Sequence, residues 1–221
     1  MLNLIITEQK PFEEILKMLE PFKKVFIIGC GTCATTCQTG GEEQVKEMAE
    51  KLRHEGKEIV GTVVVEAPCD SRLVRRDTRK VRQAIEDSDA LLCMMCGAGT
   101  QVIAEKFDKI VVPCLNTKFI GETERIGEFY ERCRACGDCI LYETGGICPI
   151  VRCPKSMLNG PCGGMYNGKC EVGGYVRDCV WVLIYNRLKD LGMLDSYKTY
   201  RSPRDNSKLN IQPREIIWVK S

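Results

Sequence analysis

Fifteen cysteines and a single histidine, His54, set the chemistry open to this 221-residue chain. Any Ser-His-Asp or Cys-His constellation would have to use His54, which falls in a polar helix end and reads as surface, so no acid–base machinery for a substrate is visible. Fifteen is an odd number and, at 15 of 221, about 7% of the residues, below the roughly 8–10% of short disulfide scaffolds. Met1 to Lys10 has no basic start, no apolar core and no small-residue cleavage site, so it is not a signal peptide. The expected setting is therefore a reducing, cytoplasmic compartment, where disulfides rarely persist. So many free thiols point to metal coordination. The ligands must be nearly all thiolate, and soft thiolates select iron–sulfur clusters, Zn or Cu(I) over Mg, Ca or Mn.

The cysteines fall into two groups. Cys30, Cys33 and Cys37 follow a first apolar run, Cys69 a second and Cys96 a third. If those runs are parallel strands, the thiols gather outside their carboxyl ends, where open sheets bind ligands. Four of the five would hold one cluster; which four is open, and simple burial is the competing reading for each, because free Cys is often buried. Cys93 and Cys114 sit within or at the end of strand runs and are expected in the core. In the second group, Cys133-x-x-Cys136-x-x-Cys139 has the opening spacing of a bacterial ferredoxin motif. Cys148-Pro149 resembles its closing Cys-Pro but lies nine residues on rather than four. Cys153, Cys162, Cys170 and Cys179 complete eight candidate ligands, enough for a second cluster or for a cluster and a structural Zn.

Two other features have weaker meanings. Gly29-Cys30-Gly31-Thr32-Cys33-Ala34 fits the G-x-G-x-x-G/A dinucleotide fingerprint, but two thiols occupy the loop that a pyrophosphate would approach. Arg72, Arg75, Arg76, Arg79, Lys80 and Arg82 lie on one expected helix with only Asp77 opposing them. A solvated face is the favoured reading, and a docking surface for an acidic partner the alternative.

The elements that position these residues alternate. Helical spacing marks Pro11–Leu19, the face Val45, Met48, Ala49 and Leu52, the face Val74, Thr78, Val81 and Ile85, and a short helix around Gln101–Phe107. Strand-like runs cover Val25–Gly29, Glu58–Ala67, Ala90–Met95 and Lys109–Val112. This βα alternation predicts an α/β fold with a mostly parallel, doubly wound (Rossmann/flavodoxin-like) sheet over residues 1–125. Residues 126–195 lose that periodicity; they are expected to form a cysteine-rich irregular domain, too poor in apolar residues for a core and stapled by metal, ending in an amphipathic helix near Val180–Leu191. Residues 196–221 form an extended tail with six Lys/Arg against two Asp/Glu, whose Ile216-Ile217-Trp218-Val219 suggests docking. The chain is 44% hydrophobic and 28% charged with a formal net charge of +2, which fits a globular protein and argues against a nucleic-acid binder. No apolar run approaches the ~20 residues of a membrane span.

Taken together, Gly29-Cys30-Gly31-Thr32-Cys33, Cys37-Gln38-Thr39-Gly40-Gly41-Glu42, Cys96-Gly97-Ala98-Gly99-Thr100-Gln101, Leu115-Asn116-Thr117, Cys133-Arg134-Ala135-Cys136-Gly137-Asp138-Cys139, Asn159-Gly160-Pro161-Cys162-Gly163-Gly164, Cys170-Glu171 and Cys179-Val180-Trp181 resemble the methylenetetrahydrofolate reductase C-terminal domain family. The similarity is to its free-standing form, the small iron–sulfur subunit (MetV type) of anaerobic acetogens. That resemblance implies an electron-transfer and scaffold subunit with [4Fe-4S] clusters, two being expected, and flavin only in the partner. The implied partner is a MetF-type flavoprotein subunit, a TIM barrel that reduces methylene-tetrahydrofolate in the Wood–Ljungdahl pathway. The donor would be ferredoxin, a heterodisulfide-reductase-like module or an NADH-linked subunit. The barrel itself is absent here, since 221 residues fall short of the ~250 it typically needs. A zinc-stapled structural subunit and a nucleotide-binding enzyme using the Gly29 loop remain the competing classes.

Overall fold

In the computed structural model, which describes residues 5–205, the chain divides after Tyr130 into two units. The first contains Ile5–Gln9 (β1), Phe12–Leu19 (α1), Lys24–Cys30 (β2), Cys33–Thr36 (α2), Glu42–His54 (α3), Glu58–Val65 (β3), Ser71–Asp77 (α4), Arg82–Glu86 (α5), Ala90–Met94 (β4), Gly97–Lys106 (α6), Ile110–Pro113 (β5) and Leu115–Arg125 (β6). Glu128–Cys133 (β7) spans the division, and the second unit adds Pro149–Arg152 (α7), Val180–Asp190 (α8) and Leu194–Lys198 (α9). No helix of the described residues is long and apolar enough to cross a membrane.

The four expected strand runs form one parallel sheet in the order β3-β2-β4-β5. β2 and β4 are buried along almost their whole length, as continuous apolar runs must be when helices cover both faces. The connection from β2 runs outward to β3, and the next crosses back over β2 to β4. Right-handed crossovers in opposite directions require α3 on one face and α4 to α6 on the other. α4 packs on α6 accordingly. Register fixes the consequence: Cys30 lies beside Val65, and Gly29 beside Met94. The ends of β2, β3 and β4 therefore share one edge, with the change in strand order between β2 and β4.

Three differences from the sequence reading have physical causes. First, a separate antiparallel sheet, β1-β6-β7, was not expected. Its long strand β6 buries only Leu115 and Gly121 and mixes polar residues on both faces, so neither period stands out. Second, the helix expected over Val74–Ile85 is broken at Thr78. The buried Thr78 hydroxyl donates to the Val74 carbonyl at 2.7 Å, a back-bond that bends helices, and Arg79–Val81 form a single 3-10 turn before α5. Third, α6 begins at Gly97 rather than near Gln101, with Cys96 extended at its N-cap.

The second unit corrects the expectation that it has no core of its own. Trp181, Ile184 and Leu188 of α8 are buried with Val180, Cys153 and Cys179, and Ile147, Met157, Met165, Met193 and Tyr197 pack around them. One amphipathic helix suffices because the irregular loops lend it scattered methionines and aromatics, which carry no periodic signal. α9 occupies the start of the expected tail, and the proposed docking segment Ile216–Val219 lies outside the described residues.

Gly40 matters to the sheet edge. A Cβ there would run into the Met94 carbonyl oxygen at the end of β4 and approach the Ala34 side chain at 2.9 Å. Gly40→Ala is expected to destabilise the protein by about 1–3 kcal/mol through this overpacking, read as a lowered midpoint in urea unfolding.

Candidate metal centre

β2 ends in Cys30, and the chain turns at once into α2, which begins at Cys33. The turn is held by the Thr35 hydroxyl donating to the Cys30 carbonyl at 2.7 Å, by Cys30 N–H donating to Gly40 at 2.9 Å and by Gly31 N–H donating to Val65 at 2.8 Å. Gly31 has its Cβ position 3.2 Å from the Glu66 Cα, so the loops after β2 and β3 pack backbone to backbone. After β3, Ala67 accepts from Asp70 N–H at 2.9 Å in a turn that carries Cys69, and the Asp70 carboxylate caps α4 through Arg72 N–H at 2.8 Å. After β4, Cys96 caps α6. Its carbonyl accepts from Thr100 N–H and Thr100 Oγ1, and Gly97 N–H donates to Thr117 Oγ1 at 2.9 Å. Gly99 in the first turn of α6 has its Cβ position 3.2 Å from the Pro68 Cβ, which draws the Cys96 and Cys69 loops together.

Four thiols thus meet at one edge. Cys69 is exposed and Cys33 partly exposed, while Cys30 and Cys96 are buried. Partial desolvation raises the Cys69 thiol above its ordinary range, and Cys96, Cys30 and Cys33 push it the same way. Thr32 Oγ1 lies 3.4 Å from the Cys30 sulfur. Cys37 turns away: it ends α2, and its sulfur faces the Ile5 carbonyl at 3.8 Å. Cys93 and Cys114 are fully buried, as expected. Burial pushes both thiols up, that of Cys114 to about 12, so they stay protonated packing residues. The dinucleotide reading loses its donors, because Cys30 and Gly31 N–H already serve Gly40 and Val65, and the helix after the loop has only four residues.

The second unit distributes its thiols differently. Cys133, Cys136 and Cys139 occupy a loop with Ala135 and Gly137 at positive φ (51° and 77°). Ala135 N–H donates to the Cys133 sulfur at 3.3 Å, and the Arg204 guanidinium donates to the carbonyls of Asp138 at 3.0 Å and Cys136 at 3.5 Å. Cys148 and Cys153 flank α7, and Cys153 shares the small core with Cys179, the N-cap of α8. Cys162 and Cys170 bracket a tight hairpin, Tyr166 to Lys169, whose Asn167 and Gly168 both take positive φ, as type I′ turns require. Gly164 N–H and the nearby Lys155 hold the Cys162 thiol below its ordinary range, and Lys155 is paired with Glu171. Among the described residues, no three Cys, His, Asp or Glu side chains are arranged to hold a single metal ion.

Two residues that the sequence reading passed over organise this unit. Arg201 is buried: its guanidinium pairs with Glu143 at 2.7 Å, donates to the carbonyls of Glu143, Leu158 and Ser196, and lies 5.7 Å from the Trp181 ring. Asn159 closes the same knot by bonding both backbone groups of Arg201, at 2.7 and 2.9 Å. An isolated Arg in a polar tail gives no sequence signal. The quoted Asn159-Gly160-Pro161 run was the nearest hint.

Residues 112–207 match the family model described as methylene-tetrahydrofolate reductase C terminal. The resemblance read from the motifs holds over that segment, which carries Cys114 and all eight cysteines of the second unit. The Cys30, Cys33, Cys69 and Cys96 set lies before the matched segment. No curated protein matches the chain. Among solved structures, the chain is similar to a crystal structure of arylmalonate decarboxylase, with 20% identity and a TM-score of 0.31, over 47% of this chain and 46% of that one.

Arg201→Met is expected to cost about 2–3 kcal/mol, since it strands several carbonyls and a carboxylate that share one charged donor. Glu143→Gln should cost less than about 1 kcal/mol, because Glu143 keeps solvent on one side. Urea unfolding followed by tryptophan fluorescence measures both.

Proposed function

We propose that this chain is an iron–sulfur electron-transfer and scaffold subunit of a methylenetetrahydrofolate reductase system, one that supplies electrons to the flavin of a separate catalytic subunit. The observation that carries the reading is the meeting of Cys30, Cys33, Cys69 and Cys96 at the carboxyl edge of the parallel sheet, with Cys69 under the influence of the other three. Four like thiolates converging on one point repel one another unless a cation lies between them. The donor set contains sulfur only, the set that iron–sulfur clusters take. A cubane binds each thiolate to a different iron and so takes ligands spaced more widely than those of a single ion. The donor chemistry, sulfur only and drawn from three strand ends, fits such a group. In the second unit, the Cys133–Cys139 loop supports the same chemistry, since Ala135 N–H donates to the Cys133 sulfur as main-chain groups around a cluster do. The match of residues 112–207 supports the reductase setting.

A bound cluster supplies reversible one-electron storage. The chain's own residues do the rest. Cys30 and Cys96 are held in the buried edge by backbone bonds, the Thr32 hydroxyl lies within reach of the Cys30 sulfur, and Cys69 forms the solvent-facing rim. The nearest carboxylates, Asp70 and Glu66, are already paired with Arg72 and Arg76, and in this reading the substrate chemistry belongs to the flavoprotein.

Anaerobically purified protein should contain iron and acid-labile sulfide and show broad visible absorbance that dithionite bleaches. Cys33→Ser should lose one cluster's iron and sulfide, whereas Cys37→Ser keeps both. A colourless, zinc-loaded protein would overturn the reading in favour of a structural subunit, and iron loss in Cys37→Ser equal to that in Cys33→Ser would overturn the ligand set.

A further inference from the structure

The basic stretch after Cys69 is neither one helix nor uniformly neutralised. Arg72 pairs with Asp70 at 2.7 Å, Arg76 with Glu66 and Asp77 at 2.7 and 2.6 Å, and Arg82 with Glu86 at 2.9 Å. The other three cations, Arg75, Arg79 and Lys80, are exposed and form no ion pair among the described residues. They cannot turn inward, because Val74 and Thr78 supply the buried side of the same turns. Arg75 lies about 6 Å along α4 from Ser71, and Ser71 is two residues from the exposed Cys69. The exposed Cys69 is thus followed, along α4 and the 3-10 turn after it, by three exposed positive charges without a carboxylate partner among the described residues.

We propose that these charges form the docking surface for a small acidic electron-carrier protein, which delivers electrons at the Cys69 rim. The inference rests on the cluster reading above. Positive side chains left without carboxylates cost little in water and gain most when an oppositely charged surface meets them, so they steer encounter more than they hold a complex. Electron-transfer encounters use small interfaces of this kind, below about 1,200 Å² in total. The carrier is oxidised by the one electron that this chain gains, and no proton or group is transferred. A whole-chain net charge of +2 and a patch confined to three side chains favour a compact acidic protein over a nucleic acid or an anionic membrane.

The test uses the full-length, anaerobically prepared chain and a fluorescently labelled acidic ferredoxin as probe. Its affinity reports docking whether or not iron is present, and iron content is measured on the same sample to judge the cluster reading separately. The triple variant Arg75→Glu/Arg79→Glu/Lys80→Glu should weaken ferredoxin binding roughly tenfold or more at low salt and slow reduction by ferredoxin, with iron content and bleaching by dithionite unchanged. The corresponding Gln triple variant should fall between the two. The wild-type affinity should drop as salt rises. Equal affinity in wild type and the Glu variant, an affinity indifferent to salt, or tighter binding to anionic lipid vesicles than to ferredoxin would each overturn the proposal.

Discussion

Parallel pairing of β2 with both β3 and β4 is the constraint on which the rest of the first unit depends. Because the three strands run the same way, their carboxyl ends lie at one edge whatever the length of chain between them. Cys30, Cys69 and Cys96, which are 66 residues apart at the extremes, become neighbours through register alone. The glycines around them serve this packing. Gly29, Gly31, Gly40 and Gly99 all have another chain segment where a Cβ would stand, so the Gly-rich loop that imitates a dinucleotide fingerprint is instead a place where backbones approach backbones.

Most of the sheet was legible in the sequence because β2 and β4 are buried on both faces and advertise it as unbroken apolar runs. The antiparallel sheet was not, since β6 pairs through its backbone while exposing polar side chains on both sides, and pairing without burial leaves no pattern. The strand-end cysteines could be picked out by position. The different surroundings of Cys33 and Cys37 could not, because they depend on the turn after β2, which sets Cys33 at the start of α2, and on a helix of only four residues, which ends at Cys37 with Gln38 at positive φ just beyond. Arg201 was invisible for a related reason: its partners Glu143, Leu158 and Asn159 lie 42 to 58 residues away.

Electrostatics sets apart four of the thiols in ways that composition cannot. Cys93 and Cys114 are surrounded by apolar neighbours, and burial keeps them neutral, so they behave as small hydrophobic residues. Cys162 is the opposite case, with an N–H and an ammonium group nearby that favour the thiolate. Cys69 lies between: exposed, its thiolate is still opposed chiefly by partial desolvation and then by Cys96. Only thiolates repel one another, so burial and crowding there favour the neutral thiol at Cys69.

The second unit solves a different problem, that of holding irregular loops with little apolar surface. Its one substantial helix, α8, buries Trp181, Ile184 and Leu188, and the loops are then tied to that helix by polar contacts. The Trp181 indole donates to Met157 at 2.9 Å, and Arg201 covers the ring while bonding three carbonyls. Cysteines flank these same elements: Cys148 and Cys153 at the two ends of α7, and Cys179 at the head of α8. A residue at a helix end is fixed by the helix on one side and free to follow a loop on the other, so ligation there would couple the loops to the core without distorting either. Small domains need such added ties when their cores are thin, and in this unit Arg201 and Asn159 already supply one of them from protein groups alone.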